Sequence, residues 1–439
     1  MLVAAILLGG CVATPEPVPE PVPPSELAAL EARLGANPDD PELQALAGAS
    51  LLIAGRCDDL AALASQVEAT AEEAWPVLAR GRCLERQGEL DGAVALYRDY
   101  LERFDAGAGV PPVRGRLLLA RRRAAFPAAR RRVADPSPAE ASPSTVLILP
   151  FRVLGDDPLT PVGRSLAARM AATLAELEGL DVVDPLELRL VTAQLERTGD
   201  LDSDATRAGV LARTLGAGQV VRGSLYLDDG TLNRLSTEIV SVDGRVRAGG
   251  RVEGPLTALP RLEKELTLAT AEALGREVTL EERNRILYGT PRDLPSLLAY
   301  AEGLDLQDRG EYQAAAERFA EAWRLDPDFE GARRALEANA AAAVMDRAEP
   351  GNVLAVEPAV SASLQAALEP DGGVDALLLA IRAGTSDVSA TQGERVTGVV
   401  AATAQDGSVG SIQNLGSPTV LTASQLTGII RILVVVPGG

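Results

Sequence analysis

The chain has 439 residues, enough for about two to four domains, and carries a net charge of −20 at pH 7. Hydrophobic residues make up 46% but aromatics only 3%, so the cores must be built mainly from Leu, Val and Ala. There is no His, which removes the commonest acid/base group and the commonest metal ligand, and the acidity argues against general nucleic-acid binding, which wants a basic face.

The chain opens on an apolar run, Leu2 to Leu8, that leads into Leu8-Gly9-Gly10-Cys11 and then a Pro/Glu-rich stretch, Ala13 to Pro24. The run is far too short for a spanning helix, which needs about 20 residues. Small residues before a Cys suit a narrow protease site, and a thiol is the nucleophile that takes a lipid. These residues resemble the lipobox of bacterial lipoproteins. The resemblance implies a signal peptide over residues 1–11 with Cys11 lipidated, and a Pro-rich tether over 12–24. Val12, where an Asp would imply inner-membrane retention, implies the periplasmic face of the outer membrane. A secretory signal normally opens with Lys or Arg; Met1 is followed by Leu2, so the true start is expected upstream.

Residues 25–134 read as helical repeats. Ser25 to Leu34 forms a partial helix ending at Asn37-Pro38-Asp39-Asp40-Pro41. Gly48 and Gly81 are 33 residues apart, as are Gly55 and Gly88. A helix–turn–helix unit of that period resembles the tetratricopeptide repeat, with one unit over Pro41 to Ala69 and a better one over Ala74 to Phe104, where Gly81, Gly88, Ala93 and Tyr97 match. In such a stack Cys57 opens a second helix and Cys83 lies late in the next first helix, so the two are neighbours. Two readings stay open: a disulfide in an oxidising compartment, or two small buried apolar side chains. Arg114, Arg116, Arg121 to Arg123 and Arg130 to Arg132 make a basic segment in an acidic chain. It is read as a helix capping the stack with Arg stems over apolar surface, or as a contact for lipid phosphates or an acidic partner.

Residues 135–144 read as a linker. Val146 to Phe151 is continuously apolar, as expected of a strand buried on both faces. Thr160-Pro161 starts a helix whose Leu166, Met170, Leu174 and Leu177 share one face. A short strand over Leu180 to Val183 follows, then helices over Leu186 to Leu195 and Thr206 to Leu215. Strands over Gln219 to Leu227, Thr231 to Val240 and Val246 to Val252 turn at Asp228-Asp229-Gly230 and Asp243-Gly244, and Leu256 to Leu274 closes the block as a helix. The order β-α-β-α-α-β-β-β-α predicts an α/β sandwich with a mixed sheet. Residues 145–275 resemble the amino-terminal domain of the Tol-system translocation protein and the related curli-export lipoprotein. That similarity rests on Leu149-Pro150-Phe151, on Gly216-Ala217-Gly218 before Val220 to Ser224, and on the meander with Val242-Asp243-Gly244. The resemblance implies an envelope domain that works by binding, with no catalytic residue and no cofactor.

Residues 290–345 hold the clearest repeat. Gly303, Gly310, Tyr312, Ala315, Phe319, Ala322 and Pro327 fall on tetratricopeptide spacing, and Ala315, Phe319 and Ala322 share a helix face. Gly310 is expected to take positive φ at the turn, and Phe329 to Ala343 to cap the stack as a helix. Residues 346–439, poor in aromatics, are expected to be largely disordered, with a helix over Ser361 to Leu368 and strands over Leu377 to Ile381 and Ile429 to Val436.

No phosphate-cradling loop, CxxC or Gly-x-Ser-x-Gly is present, and Asp156-Asp157 in a Gly/Pro loop reads as solvated turn residues rather than a metal or acid/base pair. The expectation is therefore an α+β multidomain protein in which tetratricopeptide-like repeats flank an α/β sandwich. It is not an enzyme and binds no metal. It acts as a lipid-anchored scaffold or adaptor for envelope proteins in assembly or secretion. The alternative is an oligomeric export component like the curli-export lipoprotein, whose pore needs two long amphipathic hairpins that residues 145–275 do not offer.

Overall fold

The computed structural model describes residues 20–134, 141–154, 160–198, 204–228, 232–241, 243–289, 291–347 and 353–368, with four short strand segments beyond. Cys11 and its signal segment, most of the tether, residues 135–140 of the linker, Asp156-Asp157, Leu377 to Ile381 and most of the region after 346 lie outside the described residues. The fold is mixed α/β, mainly helical, with one six-stranded mixed sheet. The chain divides into two compact units, residues 1–113 with 347–360, and residues 114–346 with 361–439. The division falls inside a 25-residue helix, Val110–Ala134, and not at the 135–144 linker where the sequence suggested a boundary.

The first unit holds α1 (Leu27–Ala36), α2 (Pro41–Ala54), α3 (Cys57–Ala64), α4 (Trp75–Gln87) and α5 (Leu90–Arg103). Asp40 caps α2 by accepting from the backbone of Glu42 and Leu43, with Pro41 at the first position. Leu30, Leu52, Leu60, Trp75 and Cys83 form its core. A Cβ on Gly48 would lie 2.3 Å from the Trp75 ring, and one on Gly81 would lie 2.2 Å from Tyr97, so each glycine is a seat for an aromatic ring. Cys57 and Cys83 form a disulfide, with Cα atoms 5.6 Å apart, which decides between the two readings of that pair.

The helix Val110–Ala134, α6, holds the division; in the second unit it is followed by β1 (Ser142–Ile148), β2 (Arg152–Leu154), α7 (Thr160–Ala175), β3 (Asp181–Val182), α8 (Pro185–Thr198) and α9 (Asp204–Leu215). Then come β4 (Ala217–Asp228), β5 (Leu232–Ser241), β6 (Val246–Gly254) and α10 (Leu259–Ala273). The element order matches the sequence expectation with one addition: the run Val146 to Phe151 is broken at Leu149-Pro150-Phe151, and β2 resumes the pairing with β4. Pro150 has no N–H to give a ladder. The sheet order is β3-β1-β4-β5-β6; β1 is parallel to both neighbours, and β4, β5 and β6 are antiparallel. Phe151 lies over Gly223, where a Cβ would come within 2.4 Å of its ring.

Alternate residues of β1 serve different cores. Val146 and Ile148 join Leu166, Met170 and Leu174 of α7 and Leu262 and Leu266 of α10. Leu147 joins Leu188, Val191 and Leu195 of α8 and Leu211 and Leu215 of α9. This is why Val146 to Ile148 is apolar without a break.

Four more helices follow: α11 (Leu280–Tyr288), α12 (Leu294–Arg309), α13 (Tyr312–Leu325) and α14 (Glu330–Arg347). The first was not anticipated, although Thr279 and Glu282 form a complete capping box at its start. Ile286, Leu294, Leu297 and Leu298 belong to the same core as α7 and α10. The core of the α/β segment therefore extends beyond residues 145–275, into α11 and α12. In the α12–α13 hairpin Gly310 has φ +81°, as expected, and the equivalent Gly55 and Gly88 have +74° and +84°. Ser361 to Leu368 lies within α15 (Val356–Leu368). The strand β10 (Leu433–Val435) falls within the expected Ile429 to Val436 and pairs with β9 (Val420–Thr422); β7 (Ala402–Thr403) pairs with β8 (Val409–Gly410).

Candidate functional site

The chain leaves β1 for β3 on one side, then returns through α8 and α9 to β4 on the other side of β1. Such a switch point leaves a crevice beyond the carboxyl ends of the strands, where α/β sheets bind ligands. Here a cleft of about 1300 Å³ opens. Ile148, Leu149 and Pro150 at the end of β1 and Asp184 after β3 line it, together with residues of α6, α7, α8, α9, α12 and α13. Asp184 also accepts from the backbone N–H of Leu186 and so caps α8.

The described lining contains eight arginines (Arg121, Arg122, Arg152, Arg164, Arg169, Arg189, Arg207 and Arg222) and six carboxylates (Glu176, Asp184, Glu196, Glu238, Asp305 and Asp308). Most are paired. Arg164 of α7 meets Asp305, and Arg189 of α8 meets Asp308, both on α12 at i and i+3. Arg121 meets Asp184, Arg207 meets Glu196, and Arg222 meets its cross-strand partner Glu238 at 2.7 Å. Arg169 pairs with Glu263 at 3.1 Å and lies 5.6 Å from the Phe329 ring centroid.

Arg122 is different. It donates to the Gln307 carbonyl at 3.3 Å and to the Tyr312 hydroxyl at 3.1 Å, both neutral acceptors. Its seat is the last turn of α12, where the helix dipole favours a cation. Burial pushes the Arg189 guanidinium down to about 10, and the nearby Arg122 and Arg164 add to the shift against the opposing Asp184. Arg164 is likewise lowered, by burial and then by Arg309. Ser165 lines the cleft and is 1% exposed, and its hydroxyl has no hydrogen-bond partner among the described residues.

The basic segment of the sequence meets carboxylates and the cleft of the second unit. Arg114 pairs with Glu337, Arg121 and Arg122 face the cleft, and Arg132 reaches Glu187 at 2.7 Å. Of the residues singled out in the sequence, Tyr312 comes to the cleft; Phe319 packs behind it, its ring 5.2 Å from that of Tyr300. Gly303, Gly310, Ala315 and Ala322 build the hairpin that carries Tyr312, and the Pro327 carbonyl accepts from Trp323 at 3.0 Å. Cys57 and Cys83 are in the first unit, and Cys11 lies outside the described residues. Among the described residues no cluster of His, Cys, Asp or Glu could hold a metal ion, and no helix is long and apolar enough to cross a membrane. The chemistry of the cleft is that of guanidinium forks, suited to planar anionic groups. No protein-family model, curated protein or solved structure matches this chain.

Proposed function

We propose that this chain is a lipid-anchored envelope protein of the outer membrane, facing the periplasm, that works as a scaffold or adaptor for other envelope proteins. The glycine-seated hairpins α4–α5 and α12–α13 are read as tetratricopeptide-like repeats, and the two-cored sheet segment as an α/β sandwich of the Tol-system and curli-export type. Cys11 is the anchor on this reading, and the disulfide between Cys57 and Cys83 suits an oxidising compartment.

The observation that carries the reading is the make-up of the cleft. Its walls come from the α/β segment and from the α12–α13 hairpin, and Asp184, Glu196, Glu238, Asp305 and Asp308 each face an arginine. A general base needs a proton within reach in a substrate pose; carboxylates held in ion pairs are arranged to shape and charge a surface. The test is affinity capture from detergent-solubilised envelope with the whole chain as bait, beside a broad hydrolase screen. Specific retention of envelope proteins with no turnover is expected. Turnover that follows the purified chain would make it an enzyme instead.

A further inference from the structure

We propose that the cleft beyond β1 and β3 receives an acidic, extended segment of a partner polypeptide, whose carboxylates are taken by Arg122 and Arg189. This rests on the binding-protein reading above and names the chemistry of the partner.

Size is the first argument. About 1300 Å³ exceeds the roughly 300–1,000 Å³ of small-molecule pockets and suits a run of several residues. Charge is the second. Arginines outnumber carboxylates in the described lining, eight to six, and Glu263 outside it answers Arg169, so a small positive excess remains in a chain of net charge −20. Over most of its surface such a chain repels an acidic partner, and a cleft of opposite sign focuses it. The third argument is hydrogen-bonding capacity. A guanidinium carries five donors, and the two bonds of Arg122 go to a carbonyl and a phenol, so a partner carboxylate would be the stronger acceptor. Arg189 lines the same cleft and meets Asp308, and burial with the charges of Arg122 and Arg164 still lowers its affinity for its proton; a second carboxylate on its remaining donors relieves that crowding. Last, the buried Ser165 hydroxyl has no partner among the described residues. A buried hydroxyl left unbonded is costly, and a main-chain carbonyl of the incoming segment would satisfy it.

The test is fluorescence anisotropy with a fluorescein-labelled hexaglutamate peptide and the full chain carrying Cys11→Ser. Saturable binding that weakens with salt is expected. Arg122→Gln should weaken it by about 10-fold or more, Arg122→Lys should restore part of the loss, and Arg245→Gln, on the exposed β5–β6 turn, should change nothing. Melting curves establish that each variant is folded; should Arg122→Gln not fold, Arg189→Gln must show the loss. Absence of saturable binding, or full-strength binding by the folded cleft variants, overturns the proposal. So does inorganic pyrophosphate displacing the peptide as well as unlabelled peptide does, since the site would then be one for small phosphates. If hexaglutamate fails while envelope proteins are still captured by the chain, this inference falls and the adaptor reading stands.

Discussion

Gly303 and Phe319 meet across the α12–α13 hairpin with no space for a side chain between them: a Cβ at 303 would lie 2.7 Å from the ring. Phe319 is fully buried and cannot retreat. Seven residues on, Gly310 ends α12 at φ +81°. Each glycine is required for a different reason, and the costs should separate. Gly303→Ala should destabilise by roughly 1–3 kcal/mol through overpacking, and Gly310→Val by roughly 1–2 kcal/mol through backbone strain. Urea midpoints equal to that of the native chain would count against the hairpin.

The disulfide between Cys57 and Cys83 closes a loop with a sequence separation of 26. Loop-closure entropy puts its contribution at roughly 3 kcal/mol. Reduction, or the double change Cys57→Ser with Cys83→Ser, should lower the unfolding midpoint of the first unit, while the Cys57→Ser/Cys83→Ser chain should no longer respond to reductant. A reductant-insensitive native chain would contradict a formed disulfide.

Tyr100 gives the first unit a dependence on alkaline pH. Burial, then the charges of Glu72 and Glu357, raise its phenol to about 12 from the usual 10, against the opposing Arg103. A raised folded-state value favours the neutral phenol in the folded chain, so this stability is complete below pH 10 and is lost as pH rises towards 12. The phenol donates to the Thr70 carbonyl at 2.7 Å. Tyr100→Phe should therefore be less stable than the native chain near pH 8, by about 1 kcal/mol, and the gap should close at alkaline pH. Parallel stability curves for the two chains would refute this.

The shared core sets the smallest fragment that can fold. Ile286, Leu294, Leu297 and Leu298 complete the cluster built on α7 and α10. Burying each is worth roughly 1.5–3 kcal/mol, and together they rival the roughly 5–15 kcal/mol that holds a domain folded. A fragment of residues 145–275 should lack a cooperative melt, whereas residues 114–347 should have one. Cooperative unfolding of the shorter fragment would restore it as an independent domain.

Much of this architecture is legible because burial imposes a period. The stripe Leu166, Met170, Leu174 and Leu177 and the unbroken run into Ile148 could be read directly, since each faces a core. Gly303 and Gly310 were legible for the same reason: one touches a ring, the other turns the chain. The cleft was not. Arg164 and Arg189 lie 25 residues apart in sequence, and Asp305 and Asp308 lie more than 100 residues further on. Only tertiary contact makes them pairs. The break after Ile148 was signalled by Pro150 but lay inside an apolar run, and α11 was signalled by Thr279 and Glu282 but is short and rich in charged residues, with no apolar stripe to show it.

The proposed function requires that the chain be held at the membrane and work by contact with envelope proteins. Amine-reactive reagents suit it poorly, because Lys264 is its one lysine and is buried, its amine donating to the Pro291 carbonyl at 3.0 Å. The direct measurement is photo-cross-linking in intact cells from a benzoylphenylalanine placed at Leu304 in the cleft wall, followed by separation of membranes under a high-salt wash. A discrete adduct with an envelope protein is expected in the membrane fraction, with release of the chain to the soluble periplasm by Cys11→Ser. A native chain found in the soluble fraction, or one that stays with membranes after Cys11→Ser, or no adduct from Leu304, would contradict it.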